Sequence, residues 1–271
     1  MKFYRFWARS TANLPQVAFG YSDQSLADAV VQANAGAERR TAIFRAGGRL
    51  ARGYDYDGGR PLREEIVDEF AVAGEVQTVI TRNSYGALIL NSANVFFADI
   101  DTPPPKRSLF GTWFQKNPPD QLAQQRALIQ AVVERHSGLG VRLYRTAAGL
   151  RCLVRTAAME SGSAASLQLL RDLHSDPLYV RLCTSQRCFR ARLTPKPWRM
   201  GMPKPPDRYP YRTAASEQQV REWIAEYDRR RGQFATCSIL QDLGESATDA
   251  TVLPVMQLHD HFVCAGREPL A

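Results

Sequence analysis

The stretch ANVFFADIDTPPP, residues 93–105, ends an apolar run in two aspartates, Asp99 and Asp101, separated by one isoleucine. Side chains alternate along a strand, so Val95, Phe97, Asp99 and Asp101 share one face, and Phe96, Ala98 and Ile100 the other. Carboxylates at i, i+2 lie roughly 7 Å apart at Cα. That is close enough to hold one or two hard cations, Mg2+ or Mn2+, and close enough to repel when nothing positive intervenes. A positive neighbour is therefore expected. The plainer alternative is a strand that stops there, with Asp101 and the prolines forming a turn.

Positive charge is concentrated further along the chain. Residues 141–204 carry ten Arg and two Lys against Glu160, Asp172 and Asp176, a local balance of +9, while the rest of the 271-residue chain sums to −1. Clustered arginine is a footprint of phosphate binding, because the planar guanidinium grips phosphate oxygens in pairs. An Arg-rich protein interface is the competing explanation.

These residues need elements to position them. A mixed N-terminal α/β unit is expected over 1–92: a strand at 2–8, helices near SLADAVVQANAGAERR and LREEIVDEFAVAG, and a strand in YGALILNS. Gly53, Gly58 and Gly59 read as turns, since their spacing is not that of a phosphate loop. NSAN separates GALIL from VFFADI as a hairpin turn would. From Val95 to residue 200 the order reads strand, helix (DQLAQQRALIQAVVERH, capped by Asp120), two strands joined by AAG, helix (SAASLQLLRDLH), then strands LYVRLC and CFRARL. This βαββαβ order is RRM-like, with two helices on one face of an antiparallel sheet and the other face open. A C-terminal extension over 201–271 adds a proline-rich connector, a helix and strands. The fold class expected is α+β, the three segments (1–92, 93–200, 201–271) forming one domain.

Alternation then sorts the side chains. Arg151 and Arg155 oppose Cys152 and Val154; Tyr179 and Arg181 take the open face, as do Arg190 and Arg192. One face collects two acids and several arginines, the composition needed to hold metal ions against a triphosphate.

On these residues the sequence resembles the archaeo-eukaryotic primase superfamily, which includes the primase-polymerases. Its first motif, Asp-x-Asp ending an apolar strand, is matched by FFADID. Its second, a short hairpin ending in histidine, is matched by YRTAAGLRCLV, with Arg151 where the histidine would stand. Its third, an acid followed by a Phe-Arg strand, is matched by Asp176, Phe189 and Arg190, with Ser175 before the acid. The resemblance covers roughly residues 93–200. It implies a template-directed nucleotidyl transferase using two Mg2+ or Mn2+ ions on Asp99, Asp101 and Asp176. Phosphates of DNA, RNA or nucleoside triphosphates would meet Arg145, Arg151, Arg155, Arg181, Arg190, Arg192 and Lys196, and a helicase or other replication or repair protein would be a partner. A degenerate nucleic-acid-binding module and an Arg-rich protein-interaction domain are the alternatives.

The remaining candidates read as structural. His259, His261 and Cys264 fall on two faces of a strand and lack further ligands for zinc. His136 and His174 end helices. Five cysteines without a CxxC pair suggest buried thiols in a reducing cytoplasm. Trp113, Phe114, Trp198 and Tyr209 flank proline loops as anchors, Trp198 being also a candidate for stacking on a base. No run approaches about 18 apolar residues, so no membrane span is expected.

Overall fold

The structure is a computed structural model and describes residues 1–48, 61–72, 74–102, 120–264 and 269–271. Gly53, Gly58, Gly59, Pro103, Pro104, Pro105, Trp113 and Phe114 lie outside the described residues. In chain order the elements are β1 (Phe6–Arg9), β2 (Phe19–Ser22), α1 (Leu26–Arg45), β3 (Glu65–Val72), β4 (Glu75–Arg82), β5 (Leu88–Ser92) and β6 (Phe97–Asp101). Then follow α2 (Gln121–Arg135), β7 (Gly140–Thr146), β8 (Gly149–Val154), α3 (Ala164–Asp172), α4 (Pro177–Gln186) and β9 (Phe189–Arg192). A 3-10 turn (Pro197–Met200), α5 (Ala214–Arg231), β10 (Cys237–Gly244) and α6 (Leu253–Val263) complete the chain. The class is α+β, built on two four-stranded antiparallel sheets, β10-β7-β8-β6 and β3-β4-β5-β9, with a small β1-β2 ribbon packed on α1. No helix among the described residues is long and apolar enough to cross a membrane.

One apolar core spans residues from Ile80 to Val263, taking side chains from both large sheets and from the helices between them. The strands β6, β8 and β7 are neighbours in that order. The last strand of the expected βαββαβ series, β9, pairs instead with β5. It runs beside β6 without joining its ladder. The outer edge of β6 is satisfied by side chains. The Tyr179 hydroxyl lies 2.9 Å from the Phe97 carbonyl oxygen and 3.0 Å from that of Arg190, and accepts from the Arg190 amide. The Asp99 carbonyl accepts from the Ser175 hydroxyl at 3.0 Å and the Asp176 amide at 3.2 Å. Covering an edge in this way closes it to further pairing.

Four expected elements differ. Within LREEIVDEFAVAG, Glu65–Val72 form the strand β3, where β-branched and aromatic residues pair with β4 across two register shifts. GALIL and VFFADI are not a hairpin: Ser92 and Asn94 turn the chain from one sheet to the other, Ser92 accepting from the Val95 amide and Asn94 donating to Gln77. LYVRLC is helix α4. Its start is an N-cap at Asp176 followed by Pro177, and its buried Tyr179 and Cys183 are one helical turn apart. The final run is helix α6, with Val255, Met256, His259 and Val263 inward, and it covers the sheet face expected to be open.

The edge cover can be tested at Tyr179. Tyr179→Phe keeps the ring but leaves buried backbone groups of Phe97 and Arg190 without their partner. A loss of about 1–3 kcal/mol in urea unfolding is expected, with the far-UV spectrum unchanged.

Candidate functional site

Register sets the geometry of the first pair. Asp99 in β6 lies directly opposite Arg151 in β8, which lies opposite Tyr144 in β7. The Arg151 fork meets Asp99 with both arms, Nε to Oδ1 at 2.7 Å and Nη2 to Oδ2 at 3.2 Å. Arg151 is 1% exposed and the Asp99 side chain 34%. Burial alone would lower the Arg151 pKa, but the Asp99 carboxylate outweighs it and fixes the positive charge. The positive neighbour expected for the acid pair is therefore Arg151 itself.

The network continues inward. Arg151 Nη1 donates to the Arg192 carbonyl at 3.0 Å and lies 3.2 Å from His259 Nε2. Burial pushes His259 down to about 4, so the ring is neutral near pH 7; Nε2 accepts from Arg151 and Nδ1–H donates to Asp260 at 3.2 Å. Burial alone would raise the Asp260 pKa. Hydrogen bonds from His259, Tyr144 and Arg142 hold it below the usual carboxylate range. Arg142 closes the chain on Asp242, two bonds of 2.9 Å each. His259 therefore belongs to a polar network, His261 is exposed, and the two do not form a cluster with Cys264. All five cysteines are free thiols, and burial raises Cys188 to about 11 and Cys183 to about 12.

Asp101 ends β6 opposite Gly149. A Cβ there would lie 2.1 Å from the Ile100 carbonyl oxygen, so only glycine permits the hairpin to come so close. Pairing runs past Asp101, since the Thr102 amide donates to the Ala148 carbonyl at 2.8 Å, and Gln125 of α2 pins the Asp101 carbonyl at 3.0 Å. Asp101 thus closes the strand, and the prolines that follow it lie outside the described residues. Asp176, whose amide is tied to Asp99, caps α4 by accepting from the Leu178 amide at 3.0 Å.

Asp99, Asp101 and Asp176 line one cleft of about 240 Å³. Arg192, Lys196 and Arg199 line it too. Loss of water, then the charges of Asp99 and Asp176, push the Asp101 pKa up. Loss of water, then Arg192 and Arg199, push the Lys196 pKa down, and burial with Arg192 does the same to Arg199. Among the described residues no ion pair joins Asp101 or Asp176 to these three cations, although Asp101 and Lys196 sense each other. Among the described residues, Nη1 of Arg192 and Nη1 of Arg199 are buried and have no hydrogen-bond partner.

The other expected phosphate ligands are placed differently. Arg151 lines the cleft but is committed to Asp99. Arg190 lines it too, with Nη2 on both oxygens of buried Glu64 at 2.8 and 3.0 Å. Arg155 is buried outside the cleft, where it clasps the carbonyls of Glu245 and Ser246. Arg145 and Arg181 are exposed and lie outside the lining. Arg199, Tyr85 and Glu64 were not singled out from the sequence. Arg199 follows Lys196 by three residues on PKPWRMG, a turn signal that places both on one short loop.

Among the described residues no group of three or more His, Cys, Asp or Glu side chains surrounds a common metal position. Compared with protein-family models, curated proteins and solved structures, the chain matches none of them.

The two aspartates are expected to respond in opposite ways. Asp99→Asn leaves the Arg151 guanidinium buried without a counter-charge, at a cost on the order of 2–4 kcal/mol given the partial exposure of Asp99. Asp101→Asn relieves crowding and is expected to be neutral or stabilising. Because the folded Asp101 pKa lies above its unfolded value, the folded chain binds more protons between the two. Stability is therefore lost as pH rises through that interval. Denaturant midpoints from pH 3 upward should show this loss in the parent and its absence in Asp101→Asn.

Proposed function

We propose that this protein is a metal-dependent nucleotidyl transferase of primase-polymerase type, with the β6-β8-β7 sheet and its helices as a divergent RRM-like unit. The observation that carries the reading is that acids and cations line one cleft, both Asp101 and Lys196 destabilised by loss of water and by neighbours of their own sign, with no ion pair between Asp101 or Asp176 and Arg192, Lys196 or Arg199 among the described residues. A ligand that relieves both must carry a cation at one end and a polyanion at the other. A divalent ion on a nucleoside triphosphate has that form.

The donor set fits. With Asp99 engaged by Arg151, Asp101 and Asp176 retain carboxylate oxygens, and Mg2+ is commonly held by one or two carboxylates with water and phosphate oxygens completing its shell. Mg2+ or Mn2+ bound there would supply charge that lowers the pKa of an attacking hydroxyl and neutralises the triphosphate. Arg192 and Arg199, which line the cleft, would offer their guanidinium groups to phosphate oxygens, and Lys196 would add a point charge. Arg151 would hold Asp99 ionised and immobile beside them. A second reading, a nucleic-acid-binding module without turnover, draws on the same Arg151–Asp99 pair, which withdraws one carboxylate from the cleft.

Thermal unfolding with Mn2+, a nucleoside triphosphate, or both, tests the cleft. The two together are expected to raise the midpoint by more than the separate shifts combined, the stabilisation reaching about 2–3 kcal/mol near 100 times the dissociation constant. Asp101→Asn and Lys196→Ala are each expected to abolish the excess. Incorporation on a primed template, lost in Asp101→Asn, would support the transferase; the excess shift without incorporation would support the binding module. Absence of an excess shift would remove the transferase.

A further inference from the structure

Trp198 is 48% exposed, yet it sits on a rigid support. It lies in the 3-10 turn Pro197–Met200, whose Pro197 and Met200 are buried, and the Met202 amide closes the turn on the Pro197 carbonyl at 2.9 Å. Gly201, at φ +69°, ends the turn in the left-handed region where glycine is unstrained. Tyr85 stands edge-on to the indole with ring centroids 5.3 Å apart, and Tyr85, Lys196 and Arg199 all line the cleft. The ammonium groups of Lys196 and Lys204 lie 5.6 and 5.7 Å from the Trp198 ring centre.

At those distances the lysines are near the limit of cation–π attraction, so a phosphate would compete for them with the ring. A supported, exposed indole next to residues of a charged cleft, with two ammonium groups near its ring, matches one nucleotide of a strand: a planar base between phosphates. We propose that Trp198, supported by Tyr85, is a base-stacking platform for single-stranded nucleic acid, with Lys196 and Lys204 taking the phosphates on either side of the stacked base. The inference deepens the reading of the cleft as a nucleotide site by naming the polymer that enters it.

The test compares fluorescein-labelled oligo-dT with an abasic oligonucleotide of equal length, by anisotropy. Trp198→Ala is expected to weaken oligo-dT binding about ten-fold or more, Trp198→Phe to restore most of it, and neither to alter abasic binding. Lys204→Ala is expected to reduce the slope of log affinity against log salt by about one for both strands. Equal losses on both strands in Trp198→Ala, or none on either, would overturn the platform. The metal–nucleotide thermal shift is read in parallel: its absence alongside Trp198-dependent dT binding removes the cleft reading and leaves the platform standing.

Discussion

A guanidinium almost wholly removed from water needs its charge and its donors matched, and Arg151 meets that demand by drawing on three parts of the chain. Nε and Nη2 take the Asp99 carboxylate of β6, while Nη1 takes the Arg192 carbonyl of β9 and faces the imidazole of α6. The two large sheets and the C-terminal helix are thereby linked through one side chain. Leaving such a group unpaired is costly, so the register of β6 on β8 is set by charge as well as by the apolar pattern. Burial first, and the Arg151 charge after it, keep His259 neutral so that its ring can accept, while hydrogen bonds from His259, Tyr144 and Arg142 keep Asp260 ionised.

The arginine-rich segment reads differently once its partners are visible. Arg142 is neutralised by Asp242 and Asp260, Arg151 by Asp99, and Arg190 by Glu64, while Arg155 donates to carbonyls at the end of β10. Much of the local excess of positive charge therefore serves the fold. What faces the cleft as uncommitted cation is a smaller set, Arg192, Lys196 and Arg199. Salt dependence of any strand binding is accordingly expected to reflect a few contacts rather than the whole segment.

Elements whose signals are local could be read from the sequence. The Asp120 cap, the AAG hairpin, α1, α5 and the acid-bearing strand β6 all stand where pattern and capping place them. Asp99, Asp101 and Asp176, singled out by motif, line one cleft but among the described residues do not surround a common metal position. The failures have physical causes. Short apolar runs such as LYVRLC satisfy strand and helix periods alike, and the deciding signal was the Ser-Asp-Pro start, which is a helix cap before it is a turn. The partners of the buried arginines were invisible for another reason: Glu64 is 126 residues from Arg190 and His259 is 108 from Arg151. Alternation along a strand says which way a side chain points, not which distant residue meets it.

The Asp176 amide is tied to the Asp99 carbonyl, and the helix behind it requires a side-chain oxygen at its first position. Place and chemistry are thus governed separately at this residue. The peptide sets where the side chain stands, and capping would accept Asn or Ser as readily as Asp. Asp99 has no such latitude, because its charge is needed by Arg151. A lineage carrying this fold could therefore shed the negative charge at position 176 with little trace in its thermal stability, while the same loss at position 99 would be felt in folding before it was felt in chemistry.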